Sequence, residues 1–168
     1  MDVPNSGIIA IDGRCGSGKT TLANALSEKL ACPVVHMDHF FLPREMQTAE
    51  NLARGNVDFV RFQEEVLSHL GEEFSYRVWN CKEQALGKRI TIPKARHVIV
   101  EGSFSLHPDF GRYFDYGIFL TVSKDEQIKR LTEREGDVSV FLSRWIPLEE
   151  AYFAKYSVKD RADIVIDG

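Results

Sequence analysis

Eight consecutive residues, Gly13-Arg14-Cys15-Gly16-Ser17-Gly18-Lys19-Thr20, fill every fixed position of the pattern G-x-x-x-x-G-K-[ST]. These residue types at this spacing do phosphate chemistry. Glycines let the backbone turn tightly and bring successive N–H groups around an anion. A helix that starts at the end of such a loop adds its unsatisfied N–H groups and the positive end of its dipole. Lys19 is placed to reach β- and γ-phosphates, and the Thr20 hydroxyl to ligate Mg²⁺. The stretch from Gly13 to Thr21 is therefore read as a nucleoside triphosphate site. A glycine-rich turn that binds nothing would not need the lysine and threonine at those places.

The loop works only if a strand delivers it and a helix leaves it. Ile8 to Asp12 is a short apolar run that stops at an acid, as a buried strand would. Thr20 to Leu30 places Leu22, Ala25, Leu26 and Leu30 on one helical face. Pro33 to Met37, His97 to Glu101, Tyr116 to Val122 and Ala162 to Ile166 read as four more core strands. Helical spacing predicts helices over Asp58 to Leu70, Lys124 to Glu135 and Phe141 to Tyr156, the last broken at Pro147. "FSYRVWN" and "RITIP" read as two short strands joined by a turn at Gly87. Continuous apolar strands alternating with helices imply a parallel sheet covered on both faces. The expectation is one domain over residues 1–168, an α/β doubly wound parallel five-stranded sheet of the P-loop nucleoside triphosphate hydrolase or kinase type.

In such a sheet ligands sit beyond the carboxyl ends of the strands. The second strand delivers Asp38 there and the third delivers Glu101. Mg²⁺ takes hard oxygen ligands and keeps several waters, so Thr20, Glu101 and Asp38 are the candidate metal residues. Asp38 has a second reading, as the group that accepts a proton from an attacking hydroxyl. "HMDH" is not read as a transition-metal site, because side chains alternate across a strand end. His36 is assigned to packing and His39 to a pocket wall. His69, His97 and His107 read as structural or exposed.

Composition narrows the classes. A chain of 168 residues has 43% hydrophobic and 27% charged residues, a net charge of −4 and three cysteines without metal-like spacing. Acidity argues against a general nucleic-acid partner but leaves room for a local basic pocket. Three cysteines read as free thiols in a reducing compartment. The polar start and the lack of any apolar run near ~20 residues point to no membrane partner and a cytoplasmic location. A homo-oligomer is left open.

Taken in order, "IDGRCGSGKTTLA", "MDHFF", "VIVEG", "LTER" and "ADIVIDG" resemble the uridine kinase-like group of P-loop kinases, which is related to phosphoribulokinase and nicotinamide riboside kinase. The resemblance covers nearly the whole chain. It implies ATP and Mg²⁺ as cofactors and a small-molecule hydroxyl as acceptor. It implies Asp38 as base, with Lys19 and Arg134 as the other catalytic residues, and Glu101 as the Mg²⁺-linked acid. Phe41 would line the acceptor pocket, Asp58 would hold sugar hydroxyls, and Tyr76 with Arg77 would stand beside the base. Two positions depart from the group. Cys81 stands where nucleoside kinases carry a base-reading histidine, and Glu135-Gly136 replace a second basic lid residue.

Arg130 and Arg134 are four apart on one helix face. Over bound phosphates they would form a cationic lid near 124–146, opposite an acceptor-pocket insert near 38–93. The function expected is a Mg-ATP-dependent small-molecule kinase. The alternative is a P-loop ATPase or a nucleotide-binding regulatory module without a small-molecule acceptor.

Overall fold

The first apolar run becomes the middle of the sheet. In the computed structural model, which describes residues 5–168, β1 (Gly7–Gly13) runs into the glycine loop and α1 (Lys19–Leu30) leaves it. The chain continues through β2 (Val34–His36), α2 (Ala49–Arg54), α3 (Phe59–Glu65) and a hairpin of β3 (Phe74–Asn80) and β4 (Ala85–Ile92). It then forms β5 (His97–Glu101), β6 (Tyr116–Thr121), α4 (Lys124–Glu135), α5 (Ile146–Tyr156) and β7 (Ile164–Asp167). Five strands make one parallel sheet in the order β2-β5-β1-β6-β7. The chain leaves β1 for one edge, returns as β5, then crosses to the other side as β6. That reversal beside β1 opens a crevice at the carboxyl ends of the strands.

Alternation along β1 sorts the two faces. Ile9 and Ile11 pack with Ile99, Ile118 and Leu120 under Leu22, Leu26 and Leu30 of α1. Ala10 lies on the other face with Val98, Val100 and Phe119, under an aromatic layer that includes Phe40, Phe62, Phe104 and Tyr152. Each fully buried side chain of this size contributes roughly 1.5–3 kcal/mol.

Three local expectations are corrected. The hairpin turns at residues 81–84, not at Gly87, because the Asn80 side chain accepts from the Lys82 and Glu83 N–H groups and Gln84 takes φ 51. Gly87 lies inside β4. The helix expected over Asp58 to Leu70 stops at Glu65, since Val66 (φ −122, ψ −64) leaves helical geometry and a tight turn, Leu67–His69, follows. Near Pro147 the chain stays helical. A wide π turn, Phe141–Trp145, precedes α5, and the proline occupies the first turn of α5, where its missing N–H is harmless. Helix α2 was not anticipated, although Thr48 caps it through the Asn51 N–H.

Candidate active site

The glycine loop is set by two close approaches. Gly13 has φ 138, and a Cβ there would lie 2.0 Å from the Leu120 carbonyl oxygen, so β6 leaves no room for any side chain. Gly18 has φ 94 and caps α1 with no side-chain acceptor, leaving the first-turn N–H groups of Lys19, Thr20 and Thr21 turned to the loop. The Lys19 ammonium arches back and donates to the carbonyls of Gly13 and Arg14, both at 2.8 Å. It has no carboxylate partner among the described residues. The hydroxyl of Ser17, a buried residue, has no hydrogen-bond partner either. Open N–H groups and an unneutralised ammonium around one concavity fit a polyphosphate.

Beside the loop, the Thr20 hydroxyl lies 3.3 and 3.4 Å from the two carboxylate oxygens of Glu101. Glu101 is buried at the end of β5. Its Oε1 also meets His36 Nδ1 at 2.5 Å. That hydrogen bond holds His36 above the usual imidazole range, against the opposing effect of burial. His36 is thus not a packing residue, as its place on a strand implied; its ring is the hydrogen-bond partner of Glu101. Among the described residues no group of three or more His, Cys, Asp or Glu is arranged to hold a metal alone. The oxygens of Thr20 and Glu101 fit an ion of the Mg²⁺ kind, which completes its shell with water and phosphate.

Asp38 follows β2 in a tight turn, Met37–Phe40. Its side chain reaches water in the cleft, yet the surrounding walls desolvate it. That desolvation, with the charge of Glu101, raises its carboxyl above the ordinary range, while Lys19, His36 and Arg134 pull it back. Asp38 opens onto a cleft of about 480 Å³ whose walls include His39, Phe41, Trp79, Cys81 and Lys88. Tyr76, Arg77 and Asp58, expected in an acceptor pocket, do not line this cleft. Tyr76 is buried and its hydroxyl meets His39 Nδ1 at 3.0 Å. Arg77 donates to the carbonyls of Leu86 and Gly87 across the hairpin. Asp58 caps α3 through the Arg61 N–H at 3.0 Å. His39, half-buried and near His36 and Lys88, is pushed down to about 4 and is neutral at neutral pH.

The loop is also held from the far side. Cys15 donates its backbone N–H to Glu149 Oε2 at 2.9 Å, and its carbonyl accepts from Gln127 Nε2 at 3.0 Å. Glu149 Oε1 accepts from the Ser103 hydroxyl at 2.6 Å. Arg14 pairs with Glu150 and touches Thr121 Oγ1 at 3.2 Å. Burial and the nearby Glu149 push the Cys15 thiol up to about 12, so it stays a neutral spacer. Of the two arginines expected on a lid, Arg130 is bonded to Glu126 at 2.8 Å and Arg134 to Glu135 at 2.7 Å. Beneath the loop, Asp12 is buried and accepts from Gly13, Phe104 and Leu106 N–H groups and the Tyr152 hydroxyl at 2.7–3.3 Å. Asp12, Gln127, Glu149 and Tyr152 were not anticipated as site residues. The one signal for them was an acid ending a run that is otherwise core.

Residues 9–139 match the AAA domain family model. The chain belongs to that family. Cytidylate kinases of Pyrobaculum arsenaticum and Pyrobaculum calidifontis are 29% and 28% identical over 148 and 134 residues, or 86% and 77% of this family member. Those matches cover only 65% and 61% of the two relatives, so the chain spans under two thirds of their length. A possible uridine kinase from Bacillus stearothermophilus superposes with a TM-score of 0.72 over 99% of this chain and 91% of that one, at 20% identity. The fold of this AAA domain is accordingly that of the P-loop kinases, as the motifs led one to expect. Among the described residues no helix is long and apolar enough to cross a membrane.

Proposed function

We propose that this chain is a Mg-ATP-dependent phosphotransferase that moves the γ-phosphoryl group of ATP to a hydroxyl of a small nucleoside-like or sugar-like molecule. The observation that carries the reading is the position of Asp38. Its carboxyl lies within electrostatic reach of Lys19 on the phosphate loop and Arg134 on α4, and it faces the cleft. A hydrolase needs no second pocket of that kind next to its loop.

The residues divide the work as follows. Lys19 and the N–H groups at the start of α1 hold the β- and γ-phosphates. Asp38 accepts the proton of the acceptor hydroxyl as its oxygen bonds to the γ-phosphorus, while the bond to the β,γ-bridging oxygen breaks and ADP leaves. Arg134 neutralises charge on the transferring group, which grows in the transition state. Thr20 and Glu101 would hold Mg²⁺, whose charge screens the phosphate oxygens. Catalysis on this plan is positioning and electrostatics. The names of the curated relatives support a nucleotide-like acceptor.

The test is ADP release with and without a panel of hydroxyl acceptors, repeated with Asp38→Asn. General-base groups contribute about 10²–10⁴-fold. Acceptor-dependent ADP release that falls by that factor in Asp38→Asn, with ATP affinity within a few-fold, is the expected result. ADP release indifferent to every acceptor would leave an ATPase and overturn the reading.

A further inference from the structure

The outer half of the cleft is basic, although the chain carries a net charge of −4. Lys82 and Lys88 both line it, while Asp38 is its one carboxylate. Neither lysine forms an ion pair among the described residues, nor does Arg44, whose charge reaches Cys81 on the same wall. His39 adds no charge here, since its partial burial, with His36 and Lys88 nearby, pushes it down to about 4.

The cleft is therefore polarised, with an acid beside the phosphate loop and unpaired donors towards the hairpin. Its volume, about 480 Å³, is that of a small-molecule site. A neutral acceptor would leave both ammonium groups without a counter-charge, and a cationic one would be repelled by them. We propose that the acceptor carries, besides the hydroxyl that faces Asp38, a fixed negative charge, a carboxylate or a phosphate monoester, held by Lys82 and Lys88. The inference rests on the phosphotransferase reading and names the class of molecule that this reading leaves open.

Matched probes separate the two statements: glycerol against glycerate, ribose against ribose 5-phosphate, and cytidine against cytidine 5′-monophosphate. Turnover is read by ADP release, and binding by calorimetry with a non-hydrolysable ATP analogue present. The charged member of at least one pair should bind and turn over at a KM at least ten-fold below its neutral partner. The glycerate and phosphate arms tell which anion is meant. Exposed ion pairs are each worth only a few-fold in affinity. Lys82→Ala/Lys88→Ala should thus weaken the charged probe by about ten-fold, and Lys88→Glu by more. Added salt should weaken it in the parent and much less in the double variant. Calorimetric ADP affinity checks that the variants fold.

Binding of a charged probe that depends on both lysines but gives no turnover supports the subsite and counts against the phosphotransferase reading alone. Equal binding of charged and neutral probes, no binding of any charged probe, or indifference to the two lysines overturns the subsite. So does a product whose new phosphorus, by ³¹P NMR, forms an anhydride on the anion itself instead of an ester at the hydroxyl.

Discussion

Asp12 stands where an apolar strand meets the phosphate loop, and its carboxylate has four donors and no acceptor. Burial nonetheless lifts it to about 6, since desolvation outweighs the four bonds. At neutral pH it is charged, and it ties β1 to the loop after β5 and to α5. In Asp12→Asn one oxygen becomes an NH₂; on the side of Leu106 and Tyr152 the hydroxyl can turn to accept, but the Leu106 N–H loses its acceptor. Leaving a buried group unsatisfied costs about 1–3 kcal/mol. Asp12→Asn should therefore lose roughly 1–3 kcal/mol in urea denaturation at pH 7.5; an unchanged midpoint would show that water replaces the carboxylate. The placement of Lys19, Thr20, Glu101 and Asp38 around one loop was legible at this scale, because they follow from a motif and from strand ends. Asp12, Glu149 and His36 were less so. Their roles come from partners 46 to 140 residues away, and spacing along the chain does not encode those meetings.

The elements after β6 grip the loop at a single residue, Cys15. Gln127 of α4 holds the Cys15 carbonyl and Glu149 of α5 holds its N–H, so both helices bear directly on the curvature of the phosphate site. Helical spacing predicts α4, which carries both arginines, over Lys124 to Glu135, the bounds observed. Spacing does not reveal that the buried side of α4 and α5 is polar at the loop. Glu149→Ala removes a buried acceptor from two donors, and the Cys15 N–H then loses its tether. Nucleotide affinity should fall by about ten-fold, the effect of roughly 1.4 kcal/mol. Glu149→Gln should recover most of it, because its amide oxygen can accept from Cys15 while its NH₂ donates to Ser103. Calorimetry with ADP decides. If Ala and Gln bind equally well, the helices only cover the loop. The hairpin shows the opposite limit of sequence reading. Both strands were found, but the turn was misplaced because Asn80 closes it with its side chain, a stronger local signal than the glycine within β4.

At the scale of the molecule, the sheet was legible because five apolar runs alternate with helices and only a parallel arrangement buries them all. The aromatic layer over one face was not, and it contains a titratable group with a clear sign. His107 is fully buried, stacked on Tyr152 at 5.4 Å. Its Nε2–H donates to the Arg54 carbonyl at 2.8 Å and its Nδ1 accepts from the Asp109 N–H at 3.1 Å. Both contacts are satisfied by the neutral ring alone. A second proton would point at another N–H. Burial accordingly pushes His107 down to about 4, against about 6.5 in the unfolded chain. With the folded value depressed, the unfolded state binds more protons between the two, so this group's contribution is full above about 6.5 and is lost as pH falls towards 4. Asp12 runs the other way: its raised value gives stability as pH falls through about 6. The parent's pH profile therefore mixes opposing groups, and a difference between proteins is the clean measurement. His107→Phe keeps the stacking but removes the titration and both hydrogen bonds. It should be less stable than the parent at pH 7.5. The gap should shrink by roughly 2–3 kcal/mol on going to pH 4.5, about what a shift of this size integrates to over that range. Denaturant midpoints at half-unit pH steps measure it, and parallel curves for the two proteins would mean that His107 accepts its second proton as freely in the folded core as in the open chain.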